Sequence, residues 1–385
     1  MNSELRTQNL GISGYRLTEQ LYDSSGSVVY RGYREADEQP VVLKIVQDDD
    51  PTPEYLVWFK REYQITRSLN LAGVVKAYAC FCEQQQMVMV LEDFGGDSLA
   101  RLGVTGKLEL GEFLELAIAI TQILGQIHAA HIIHKDINPS NIVLNPTTQV
   151  VKIIDFGIST VLSQENPTFC HPNVLEGTLP YMSPAQTGRM NRSLDYRSDF
   201  YSLGITFYEL LTGRLPFDSD DPLELVHCHL AKQPPPLKES SQGEIPEVIV
   251  EIVLKLMEKN PEDCYQSAYG IQADLELCLH QLQTQGQIDS FPLGKQDRSD
   301  KFHIPQKLYG REREIETLLA TFEGITGCEG DGGVWGDGEI GRWGDGEIGR
   351  WGDGGDKEEL SIPISDSQFP IPNSQFPIPN SQFPK

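Results

Sequence analysis

The sequence is poor in positive charge and has no paired cysteines and no long apolar run. Lys and Arg total 31 against 56 Asp and Glu, a formal charge of −25. That balance argues against a nucleic-acid groove or an anionic membrane surface as partner. The acidity is not confined to one end: residues 327–385 hold 11 acidic and 4 basic residues, and the remainder is acidic as well. The seven Cys, at 80, 82, 170, 228, 264, 278 and 328, form no CxxC pair. They predict reduced thiols and a cytoplasmic setting, not a disulfide framework. No stretch of about 18 uncharged apolar residues occurs, so no membrane span is expected. The opening "MNSELRTQNLGISGY" lacks the basic and apolar regions of a secretory signal. His227 and His229 flank Cys228 on an amphipathic segment and read as surface or groove residues, not as zinc ligands.

Hydrophobic residues make up 39% of the 385, enough for a large core. After a leader over 1–13, "YRLTEQLYDSSGSVVYRGYRE" reads as two strands joined by a turn, and "QPVVLKIVQ" as a third. "TPEYLVWFKREYQITRSL" has helical spacing, with Thr52 as cap and Pro53 in the first turn. Two more strands follow. "GEFLELAIAITQILGQIHAA" is a strong amphipathic helix, and the pattern beyond Asp199 is mostly helical. Residues 285–309 are polar, contain Gly and Pro, and read as a linker. Residues 310–326 look like the first helix of a further, ATPase-like domain, but no GxxxxGK[ST] follows.

Residues 327–385 instead carry "WGDGEIGR" and "SQFPIPN" repeats, which cannot build a core and are expected to be disordered. Their periods of about eight and seven residues are those of tandem eight- and seven-base DNA units read in triplets. Translated repeat DNA is the origin we infer, and a coding sequence without those base periods would refute it.

The chemistry concentrates in "HKDINPSN", His134 to Asn141, and "DFG", Asp155 to Gly157, joined by a strand-hairpin pattern. Together these resemble the catalytic and metal-binding loops of the eukaryotic-like Ser/Thr protein kinases. The resemblance implies an α+β, bilobal kinase-like fold over 14–284: a small antiparallel sheet with one helix (14–94), then a mainly helical lobe (95–284). It also implies ATP and Mg²⁺ as cofactors, Asp136 as catalytic base, Asn141 and Asp155 as metal ligands, and His134 as a brace. Lys44 of "VVLK" matches the lysine that meets the α- and β-phosphates, with Glu62 preferred over Glu54 as its ion-pair partner. "LEDFGGDSL" resembles the interlobe hinge. Leu91 would be gatekeeper, the backbone of Glu92 and Phe94 would meet adenine, and Asp97 would reach the ribose. Ser24, Gly26, Ser27, Val29, Val42 and Val143 complete the implied nucleotide pocket. "GTLPYMSPAQ" resembles the end of an activation segment, with Thr178 positioning the base and Asp199 pinning the catalytic loop from behind. Small-molecule kinases lack that segment, so the implied partner is a protein bearing Ser or Thr, including the chain itself by autophosphorylation. "HCHLAKQPPPL" and "KFHIPQKLYGREREIETLL" extend the likeness to N-terminal kinase domains of bacterial multidomain signalling proteins with ATPase, GAF and histidine-kinase regions.

Four departures from the family pattern stand out. Tyr22, Ser24 and Ser27 occupy the three glycine places of the phosphate-covering loop, which predicts weaker ATP affinity. Asn138 replaces a lysine that contacts the transferred phosphate, and Lys135 replaces an arginine that grips a phosphorylated segment. Loop phosphorylation would then fall at Ser159, Thr160, Ser163 or Thr168. Ala185 and Cys264 replace both halves of a buried Glu–Arg pair, which avoids a stranded charge but predicts a looser tie between the segment and the late helices. An active kinase and a nucleotide-binding pseudokinase scaffold both fit these features.

Overall fold

The computed structural model describes residues 11–298, apart from 25, 48–50, 84, 162–176, 190–193, 238 and 241–242. Ser163, Thr168, the leader before residue 11, the ATPase-like stub and the repeat tail lie outside the described residues, as does the side chain of Glu54.

Five strands form the first layer: β1 (Tyr15–Asp23), β2 (Ser27–Arg34), β3 (Gln39–Val46), β4 (Ala77–Glu83) and β5 (Gln86–Glu92). They pair antiparallel in the order β1-β2-β3-β5-β4. Period-two alternation along β3 sends Val41, Leu43 and Ile45 into a core with Val28, Tyr30, Val88 and Val90. Val42 and Lys44 therefore point to the opposite face. Register carries their neighbours with them, because Lys44 lies opposite Val29 and Met89, and Val42 opposite Leu91. Helix α1 (Pro53–Ser68) covers that second face. Its first turn is capped by Thr52, whose hydroxyl accepts from the Tyr55 N–H at 3.3 Å, and Phe59 packs with Val46, Met87 and Met89.

The second lobe opens with β6 (Asp97–Ser98), the short α2 (Leu99–Leu102) and α3 (Leu110–Ala129). Among the described residues α3 is the one helix long and apolar enough to cross a membrane, yet Phe113, Leu114, Ala117, Ile120, Leu124 and Ile127 are buried in the lobe's core. Short strands β7 (Ile132–Ile133), β8 (Ile142–Leu144), β9 (Val151–Ile153) and β10 (Thr160–Val161) carry the loops of interest, with β8 and β9 forming the expected hairpin. Helices α4 (Arg197–Thr212), α5 (Pro222–Ala231), α6 (Glu247–Leu256) and α7 (Ala268–Gln285) follow. Almost every side chain of α4 is buried, which makes it the axis of the lobe. At Gly204 a Cβ would meet Leu256 and Met257 at 2.8 Å, so only glycine lets α4 lie this close to α6.

The linker reading over 285–309 needs correction at its start. Ile288, Phe291 and Leu293 pack on the core, and the Asp297 carboxylate accepts from the Gln266 N–H (2.7 Å) and the Ser267 hydroxyl (2.8 Å). Three apolar residues without a regular period gave no helical or strand signal, but they suffice to hold an irregular segment on the lobe.

Candidate active site

Strand β3 presents Lys44 and helix α1 presents Glu62 from the facing layer. The Lys44 ammonium lies 2.8 and 2.9 Å from the two Glu62 oxygens and 3.3 Å from an Asp155 oxygen. Burial opposes charge on Lys44, but Asp155 and Glu62 outweigh it and hold the ammonium above the ordinary lysine range. Burial also pushes the Glu62 carboxyl up to about 7, against the pull of Lys44. For Asp155 burial is again the largest influence, but Lys44 and the Gly157 N–H reverse it and hold the carboxyl below its usual value.

The loop between β7 and β8 supplies the second cluster. One Asp136 oxygen accepts from the Thr178 N–H at 3.0 Å, and the other from Asn141 Nδ2 at 2.7 Å. Nδ2 of Asn141 also donates to the Asp136 carbonyl at 2.9 Å, which leaves the Asn141 amide oxygen as the atom that could hold a cation. His134 is fully buried: Nε2 donates to the Ile154 carbonyl at 3.0 Å and Nδ1 accepts the Asp136 N–H at 3.2 Å. Behind the loop, the buried Asp199 carboxylate accepts from the N–H of His134 (2.9 Å), the N–H of Lys135 (2.7 Å) and His128 Nε2 (2.8 Å). Burial raises Asp199, and the His128 hydrogen bond leads the interactions that overcome it and lower the carboxyl. Lys135 sits at φ 72°, a left-handed conformation that a side chain disfavours. Asp199 on its N–H and Gln186 Nε2 on its carbonyl (2.7 Å) hold it there.

Asn138 is only 2% exposed, and its amide donates to the Asp136 carbonyl (3.2 Å) and Thr178 Oγ1 (3.4 Å). It braces the Asp136 and Thr178 segments, and its amide donors are taken up there. Gln186 was not read from the sequence as a site residue, because nothing near it announces a partner at Lys135.

Around the cleft, Val29, Val42 and Leu91 are partly exposed on the face that carries Lys44, and Val143 is buried on β8 of the second lobe. In the hinge the Glu92 N–H is engaged by the Lys76 carbonyl (2.8 Å), and the Phe94 carbonyl by Asn145 Nδ2 (2.6 Å). Asp97 faces Arg31 and Arg101 at 3.9 and 3.5 Å on the cleft rim.

The phosphate-loop expectation changes in one respect. Ser24 Oγ accepts the Ser27 N–H (3.1 Å) and donates to the Ser27 carbonyl (2.9 Å), which also takes the Ser24 N–H (3.0 Å). Backbone donors expected to face phosphate at these two residues are thus spent inside the turn. A Cβ at Gly26 would stand 2.9 Å from the Tyr55 hydroxyl that donates to its carbonyl, so a side chain there would push that hydroxyl aside. Ser24→Gly frees the Ser27 N–H, and we expect it to lower the KM for ATP by about two- to fivefold, on the scale of one hydrogen bond; steady-state titration of ATP checks this. Ser159 and Thr160 are 1% and 5% exposed, so neither is an accessible phosphorylation site in this conformation.

Residues 15–269 match the protein kinase domain model, which covers more than half of the chain. The chain belongs to the protein kinase family. It is 36% identical over 232 residues to a probable serine/threonine-protein kinase of Streptomyces coelicolor, covering 59% of this chain and 34% of that protein. It is 32% identical over 241 residues to the serine/threonine-protein kinase PrkC of Bacillus subtilis, covering 62% and 36%. With the hybrid signal transduction histidine kinase G of Dictyostelium discoideum it shares 31% over 305 residues, covering 57% of this chain and 9% of the other. The chain therefore spans well under half the length of these relatives. The kinase domain also fixes the fold class as bilobal, with the five-stranded sheet and α1 as one lobe and α3–α7 in the other.

Proposed function

We propose that the chain is a protein serine/threonine kinase that transfers the γ-phosphoryl group of Mg-ATP to Ser and Thr hydroxyls, in a cytoplasmic signalling role. The observation that carries this is Asp136: both its carboxylate oxygens are oriented, by Thr178 and Asn141, at the mouth of a cleft that also holds Lys44 and Asp155. A carboxylate fixed in this way orients an incoming hydroxyl and accepts its proton. The donor set suits Mg²⁺, since the Asn141 amide oxygen and the Asp155 carboxylate are hard oxygen ligands. Bound Mg-ATP supplies the transferable phosphoryl group and neutralises charge that develops on it. Lys44 contributes a fixed positive charge, and Glu62 holds it in place. In the hinge, the Glu92 carbonyl and Phe94 N–H form an acceptor and donor pair for the adenine edge, with Val29, Val42, Leu91 and Val143 as apolar walls and Asp97 toward the ribose.

The names of the bacterial relatives support Ser and Thr as acceptors, and the segment 177–186 held against Asp136 supports a protein substrate, the chain itself included. The Dictyostelium relative's name supports a place beside histidine-kinase signalling. The spent N–H groups of Ser24 and Ser27 bear on ATP affinity, and the relatives' names do not favour the pseudokinase scaffold that they would otherwise suit. Incubation with Mg-ATP and a generic basic protein, followed by phosphoamino-acid analysis, separates the readings. Phosphoserine and phosphothreonine are expected; thermal stabilisation by Mg-ATP without either would select the scaffold.

A further inference from the structure

The segment that meets Asp136 is tied to the helical lobe through His229, Tyr201 and Lys259. His229, expected at the surface or in a groove, is 1% exposed near the end of α5. Its Nε2 lies 2.9 Å from the Leu179 carbonyl and its Nδ1 3.2 Å from the Tyr201 hydroxyl on α4. The Lys259 ammonium, just beyond α6, lies 2.8 Å from the same hydroxyl.

The chemistry at the two ends gives this chain one direction. A carbonyl can only accept, so Nε2 carries a proton; an ammonium can only donate, so the Tyr201 oxygen accepts from Lys259 and its proton goes to His229 Nδ1. Every link is satisfied only with a neutral imidazole. Burial, reinforced by the Lys259 charge, lowers His229 to about 4, which keeps it neutral. Phe217 closes the pocket, 5.3 Å from the His229 ring and 4.8 Å from the Lys259 ammonium.

Leu179 begins the 3-10 turn Leu179–Tyr181, for which Thr178 is the cap, and the Tyr181 N–H closes the turn on the Thr178 carbonyl at 2.9 Å. The Thr178 N–H is the group that orients Asp136. The same turn is held farther along by Ser202 Oγ on the Tyr181 carbonyl (2.8 Å) and by the Tyr181 hydroxyl on Glu209 (2.5 Å). Cys264 has no charge to offer here, and its thiol instead donates to the Leu256 carbonyl at 3.6 Å. The looser tie expected from Ala185 and Cys264 is therefore offset at a neighbouring point by a relay that runs from the Lys259 ammonium through two neutral side chains.

We propose that Lys259, Tyr201 and His229 are positioning residues for the protein-substrate side of the site, fixing the Leu179 carbonyl and thereby the Thr178 N–H against Asp136. The relay does not approach the Lys44 cleft, so its loss should leave ATP binding alone. This inference rests on the kinase reading above.

The test is steady-state kinetics of the full chain with Mg-ATP and a generic basic protein. His229→Leu removes both links. Tyr201→Phe removes the hydroxyl and keeps the ring. His229→Gln retains one acceptor and one donor at similar spacing. We expect kcat/KM for the protein substrate to fall about tenfold in His229→Leu and Tyr201→Phe, the scale of a lost buried hydrogen bond. The KM for ATP should stay within about twofold, and His229→Gln should recover most of the loss. The inference is overturned if the folded variants match wild type, if KM for ATP rises in parallel, or if His229→Gln is as impaired as His229→Leu at equal melting temperature. Should His229→Leu fail to fold, Tyr201→Phe alone decides. A wild-type chain without transfer removes the kinase reading itself, a separate outcome from an active wild type with insensitive variants.

Discussion

Asp136→Ala should lower phosphoryl transfer by about 10²- to 10⁴-fold, the usual contribution of a positioned base, while leaving the fold intact. The second half of that expectation follows from how the loop is held. The Asp136 N–H donates to His134, and its carbonyl accepts from both Asn138 and Asn141. These bonds survive truncation to alanine. Only the Thr178 N–H and one Asn141 bond lose a partner, and the Thr178 N–H lies where water can replace it. The variant should therefore keep the wild-type melting temperature and its affinity for Mg-ATP. A fall in stability matching the fall in rate would show that Asp136 serves the fold instead.

Lys44→Ala should act on both activity and stability, with an opposite balance. It removes the one ammonium between Glu62 and Asp155, so kcat/KM for ATP should drop by about 10²- to 10³-fold, as for other electrostatic groups of a transition state. It also leaves Glu62, 5% exposed, without its cation. Glu62 already has its folded pKa raised to about 7, so its neutral form is the one the fold favours, and stability from this group is lost as pH rises toward and through that value. That raised value already includes the pull of Lys44, so removing the ammonium pushes the Glu62 carboxyl up further and widens the pH range over which stability is lost. The destabilisation traceable to Glu62 should be about 1 to 2 kcal/mol near pH 8 and fall toward zero near pH 5.5, where Glu62 is protonated in both proteins. Urea unfolding at the two pH values measures it. A penalty independent of pH would mean that Glu62 is not the group responsible.

The catalytic core of the site was legible because its signals are local. "HKDINPSN", "DFG" and "VVLK" each place several roles within a few residues, and the period-two pattern of β3 shows that Lys44 and Val42 share a face. The choice of Glu62 over Glu54 rested on helical spacing alone, and the structure puts Glu62 at 2.8 Å from Lys44. What was not legible depends on partners far away in sequence. Asn138 looked like a substitute phosphate contact because its neighbours do not reveal that Thr178, 40 residues on, takes its amide. The turn of Ser24 and Ser27 looked like an open loop because serine side chains compete for backbone groups only once the turn geometry exists. His229 looked like a surface or groove residue because its partner Tyr201 lies on α4, 28 positions away, and Lys259, which holds that hydroxyl, lies beyond α6, 58 positions from Tyr201. Residues 286–298 looked like a linker because irregular packing leaves no period to read.

The departures in the phosphate loop, the catalytic loop and the segment end all bear on one claim, that this site still moves a phosphoryl group. The most direct measurement incubates the unaltered chain with a generic basic protein, Mg²⁺ and ATP radiolabelled at either the γ- or the α-phosphorus. Mg²⁺-dependent incorporation of the γ label into Ser and Thr is expected, with none of the α label. No incorporation of either label, or incorporation of the α label, would contradict it.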